Sequence, residues 1–259
     1  LNTHELEIEM LPVELQAGLW GLLGGSALLL GAVIGVYTKI SAKIIASIMA
    51  FGSGVLISAL SFELMDEAYR KGGYMSTALG FLAGALIYTL AATFLNKRGA
   101  KHRKRSGDKQ KSEEEHSGSG MAIALGALLD GIPESIVIGV SMLEGGRVSW
   151  VTVVAVFLSN VPEGLSSASG MKKNGRSNAY IFSVWGGITA VSAVAAWIGY
   201  TVFSHYSVEV ISGTTAVAAG AILAMISDTM IPEAFEATQD YAGLITVFGF
   251  LSAFLLSRA

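Results

Sequence analysis

Apolar runs of about 17 to 26 residues, separated by short polar interruptions, fill almost the whole chain. They fall near residues 15–38, 40–64, 75–95, 121–143, 148–171, 179–204, 208–231 and 241–257. A helix rising about 1.5 Å per residue needs about 20 such residues to cross a hydrocarbon core of about 30 Å. The pattern therefore predicts an all-α, polytopic membrane protein, a bundle of eight transmembrane helices. Only Lys39, Ser41 and Lys43 separate the first span from the second, and the last span is near the lower length limit.

The basic residues between the runs set an orientation. With the N-terminus outside, 13 of the 17 Lys and Arg fall on the cytoplasmic side, leaving Arg70, Lys71, Arg147 and Arg258 outside. The positive-inside rule then predicts both termini outside. Residues 1–14 are acidic and lack the basic start of a secretory signal, so they are expected to form an extracytoplasmic segment. Residues 96–120 are rich in Lys, Glu, Ser and Gly with no apolar anchor, which predicts a disordered cytoplasmic loop. The chain, 1–259, reads as a single transmembrane domain. Gly21, Gly24, Gly25, Gly31 and Gly35 in the first span, with Gly80 and Gly84 in the third, predict close helix-to-helix approach.

Composition sharpens this picture. The chain is 52% hydrophobic and 14% charged, against about 25% charged in soluble domains, and its mean hydropathy is +0.57. The bilayer is its expected surrounding, in a plasma or inner membrane, with a homodimer as the candidate assembly and no nucleic-acid partner. With no cysteine, thiolate metal sites and disulfides are excluded.

Three of the four prolines share one motif: Ile132-Pro133-Glu134, Val161-Pro162-Glu163 and Ile231-Pro232-Glu233. Asp130, Asn160 and Asp228 stand just before them. Proline frees the carbonyl four residues earlier, here of Leu129, Leu158 and Asp228, and in lipid such groups persist only where protein, water or an ion meets them. Asp130 and Glu134 are spaced i,i+4 and Asn160 and Glu163 i,i+3, so each pair shares a helix face. Intramembrane carboxylates cost about 2.5 to 3.5 kcal/mol on insertion scales and so need a cation, a proton or a partner. Two functions remain open on residues alone: a divalent-metal carrier, or a proton- or cation-coupled small-solute carrier in which Glu134 and Glu163 titrate without metal. No His-Glu-x-x-His or comparable hydrolytic motif is present, so an enzyme is not expected.

The eight spans, the long cytoplasmic loop after the third and the Pro-Glu motifs resemble the ZIP family of divalent metal transporters over nearly the full chain. Asn160-Val161-Pro162-Glu163-Gly164 is the best motif match. Where that family has His-Asn in the fourth span, this chain has Asp130 and Gly131, and Ser159 stands where His or Gln is common. The sixth-span stretch Gly187-Ile188-Thr189-Ala190-Val191 lacks the second-site Glu of some members, so two metals are not expected. His102 and His116 are the only histidines of the loop. The resemblance implies a divalent metal as substrate, with zinc the default. The oxygen-rich ligand set Asp130, Glu134, Asn160, Glu163 and Ser159 also suits Mn²⁺ or Fe²⁺. The expected route enters near Glu63 and leaves past Asp228 and Glu233, whereas Asp66, Glu67, Glu236 and Asp240 read as ordinary interfacial charges.

Overall fold

A computed structural model describes residues 11–104, 110, 119–143 and 145–258; most of the acidic N-terminal segment, and His116, lie outside the described residues. Helix α1 spans Val13–Tyr37 and α2 spans Ala42–Ala59. The thin polar break between them is real, because the Ser41 side chain accepts the Ile44 N–H and caps α2. A π-helical turn, Leu60–Met65, carries α2 into α3, Asp66–Lys97. Then follow α4 (Ser119–Val140), α5 (Trp150–Lys173), α6 (Asn178–Phe203) and α7 (Val208–Met225). A second π turn, Ile226–Met230, leads to α8 (Ile231–Thr238), and α9 is Ala242–Leu256. No strand occurs among the described residues.

Six stretches of described residues are long and apolar enough to cross a membrane. The expected second and third spans fuse into one 56-residue stretch, Ala42–Lys97, and the seventh and eighth into a 49-residue stretch, Val208–Leu256. Each fused stretch contains a break. Gly73 takes φ 69°, ψ −179°, a conformation open to glycine, and Gln239 takes φ 45°.

Two faces of the bundle differ in kind. Leu79, Leu82, Leu86 and Leu90 recur every three or four residues on α3 and are each at least 60% exposed, an apolar stripe suited to lipid and foreign to a water-facing surface. Inward, small residues let backbones touch. A methyl at Gly31 would lie 2.2 Å from the Val161 carbonyl oxygen and one at Gly164 2.1 Å from that of Leu28, locking α1 against α5 around Pro162. Gly84 and Gly220 do the same for α3 and α7, at 1.9 Å from the carbonyl oxygens of Val217 and Phe81. The expected close-packing glycines of the first and third spans are thus crossing points, in keeping with small-residue packing of lipid-embedded helices.

Within the stretch 96–120, expected as a disordered loop, the structure describes residues 96–104, 110, 119 and 120. Helix α3 continues to Lys97, Ala100–His102 form a 3₁₀ turn, and Arg103, Lys104 and Gln110 are buried. Polarity argued against folding only while the segment's own partners were unseen. Those partners are carboxylates inside the bundle. Residues 105–109 and 111–118 lie outside the described residues.

Candidate functional site

Helices α4 and α5 run unbroken through Pro133 and Pro162 and present Asp130, Glu134, Asn160 and Glu163, all 2–3% exposed, to the interior. Asp130 and Glu163 meet at one cation. The Lys104 ammonium lies 2.6 Å from Glu163 Oε2, 3.3 Å from Asp130 Oδ2 and 3.0 Å from Met225 Sδ on α7. Arg103 grips Asp130 with two bonds, Nε to Oδ2 and Nη2 to Oδ1, both 2.9 Å. Tyr88 on α3 donates its hydroxyl to Asp130 Oδ1 at 2.7 Å and accepts from Arg103 Nη2 at 2.8 Å. Both oxygens of Asp130 are therefore engaged, by charge-assisted bonds of the stronger kind.

The backbone after α3 is held as firmly as the side chains. Ser166, three residues past Glu163 on α5, places its hydroxyl 2.5 Å from the Lys104 carbonyl and 3.1 Å from Glu233 Oε1. The Gln110 amide donates to the carbonyls of Arg103 (3.2 Å) and Ser167 (3.1 Å). Gly126, one turn before Asp130, leaves room for the guanidinium stem, since a methyl there would lie 2.5 Å from Arg103 Cδ.

The other expected residues are placed differently. Glu134 bonds to neither Asp130 nor Glu163; its Oε1 has no hydrogen-bond partner, and the residue lines a small apolar cavity with Leu56, Leu60, Val137, Thr152 and Ile222. Asn160 donates from its amide to the Gly24 carbonyl at 3.0 Å, tying α5 to α1, and Ser159 bonds the Val156 carbonyl in its own helix. Glu63 lies in the first π turn, half-buried, 3.5 Å from the Ser149 hydroxyl. Asp228 is exposed in the second π turn, while Glu233 is buried beside Ser166. Asp66 and Glu67 pair with Arg70 and Lys71 one turn along α3, as interfacial charges do. Among the described residues no three His, Cys, Asp or Glu side chains stand close enough to share a metal ion. Lys104 fills the space between two of them.

Arg103, Lys104 and Tyr88 escaped the sequence. The first two sit in a run of basic residues in which position alone distinguishes nothing, and Tyr88 looks like any aromatic residue of an apolar span. The one available signal was energetic: buried carboxylates require cations, and the largest group of cations in the chain, eight between residues 97 and 111, follows the third span.

Apolar helices joined at glycine crossings, an apolar outer stripe and buried carboxylates define a multi-pass helical membrane protein. No family model matches the chain. It is 26% identical over 275 aligned positions to the zinc transporter ZupT of Clostridium perfringens (strain 13 / Type A), covering 93% of each chain. It is also 25% identical over 140 positions to the zinc transporter ZTP29 of Arabidopsis thaliana, covering 49% of this chain and 51% of the relative. Both relatives are named as zinc transporters, and the first match spans nearly the whole of both chains.

Proposed function

We propose that this chain carries a divalent metal ion across a bilayer, through a site built by Asp130, Glu134, Asn160 and Glu163 with Ser159 beside it. The observation that carries this is the convergence of Asp130 and Glu163, from two helices, on the single ammonium of Lys104. A point where two buried carboxylates hold one cation is a point where they can hold another, with oxygen-to-metal distances of about 2.0–2.2 Å for zinc. Zinc is the substrate named for both relatives. An all-oxygen ligand set also accepts Mn²⁺ or Fe²⁺. The protein acts as a carrier and not as an enzyme, in a plasma or inner membrane, with Glu63 on the entry side and Asp228 and Glu233 on the exit side.

The proposal includes eight crossings with both termini outside. The non-helical residues Gly73 and Gln239 support a reversal in each fused stretch, and with both reversals the basic residues collect on one side.

Zinc uptake into proteoliposomes tests the site. Glu163→Gln and Asp130→Asn should each lower uptake at subsaturating zinc by about tenfold or more, since each removes a charged ligand. A folded wild-type protein without saturable divalent-metal binding would sink the proposal and favour a metal-free solute carrier.

A further inference from the structure

Asp130 and Glu163 are already neutralised, and the neutralising charges belong to the chain itself. An ammonium and a guanidinium enter the carboxylate pair from the segment that follows α3, and every polar contact around them is satisfied from the bundle: Tyr88 and Asn96 for Arg103, Glu163 and Met225 for Lys104, Ser166 for the intervening backbone. Cations buried to 2–3% exposure are costly unless paired this well.

From this we infer a tethered cation lock: Arg103 and Lys104 occupy the carboxylates in place of the transported ion, and a metal enters its site only by evicting them. This rests on the transport function proposed above. The geometry makes the competition direct. Lys104 Nζ, 2.6 Å from Glu163 Oε2 and 3.3 Å from Asp130 Oδ2, stands at the point between the two carboxylates where a metal bridging them would sit. Asp130 has Arg103 on both oxygens, so its carboxylate is equally closed. The two pairs also share one stem, because adjacent residues of one short turn supply both cations.

Gly126 supplies the slot for Arg103, with no Cβ to hold or block the stem. Glu134, one turn beyond Asp130 on α4, stays outside the paired set with an unbonded oxygen. That is the arrangement expected if Glu134 meets the metal first and the lock yields second.

Three measurements on the full chain decide it. In wild-type protein, Lys104 acylation by an N-hydroxysuccinimide ester, read by mass spectrometry against exposed Lys101, should be strongly protected without metal and several-fold faster in saturating zinc. In proteoliposomes, Arg103→Gln with Lys104→Gln should lower the zinc concentration for half-maximal uptake; a site free about one tenth of the time binds about tenfold more weakly, so the expected shift is about tenfold. Gly126→Val should produce the same direction of change by steric eviction, leaving every charge in place. Thermal unfolding supplies the control for folding: zinc should raise the midpoint of the double variant more than that of wild type, because metal replaces the missing cations. If the folded double variant takes up zinc no better than wild type, or zinc leaves Lys104 acylation unchanged, the lock is overturned and transport stands. If neither protein binds or takes up zinc, both fall together.

Discussion

Tyr88 shows how much one hydroxyl can decide at this site. It donates to Asp130 and accepts from Arg103, so it fixes the carboxylate's orientation and the guanidinium's seat at once. Tyr88→Phe deletes a hydrogen bond to a charged group, worth about 1.5–3 kcal/mol. We expect a lower unfolding midpoint in detergent; an unchanged midpoint would show the bond to be idle. The Pro-Glu pairs pointed to Asp130 and Glu163 because the spacing sets each on one helix face with a second oxygen-bearing residue, and the cost of a carboxylate in lipid turns such a face inward. Nothing in the sequence announced which of eight loop cations would reach them. That choice depends on where α3 ends and on the slot at Gly126, neither of which has a local sequence signature.

Glycine crossings govern the elements that carry the site. Gly31 and Gly164 touch each other's helix backbones, so α1 braces α5 within one residue of Glu163. Gly164→Ala would push a methyl to 2.1 Å from the Leu28 carbonyl oxygen, whereas Gly186→Ala on α6 meets nothing within 4 Å. Overpacking typically costs about 1–3 kcal/mol, and a helical Gly→Ala change gains up to about 1 kcal/mol where space allows. The expected result is a lowered unfolding midpoint and reduced uptake for Gly164→Ala, with Gly186→Ala neutral or more stable. These crossings were legible, since small residues in apolar helices have few other uses. The π turns holding Glu63 and Asp228 were not, because a single extra residue in a turn leaves no period to read. Such turns recur at functional sites.

At the scale of the whole molecule, the number of crossings decides whether the carboxylates lie on a path between two compartments. A straight 56-residue helix would be about 84 Å long, nearly three times a hydrocarbon core of about 30 Å. A reversal within Ala42–Lys97 would divide it into two crossings, and Gly73 is where its backbone leaves the helix. The same holds for Val208–Leu256 at Gln239. Because the chain has no cysteine, single thiols report sidedness directly. Tyr74→Cys and Arg258→Cys, both at exposed positions, should react with an impermeant maleimide from outside intact cells; Asn174→Cys and Tyr241→Cys should react only after the membrane is opened. Six crossings, with each fused stretch counted once, would leave Tyr74 within the membrane and unreactive from either side. Reaction of Arg258→Cys from the inside alone would put the C-terminus on the cytoplasmic side and overturn the even count of eight crossings.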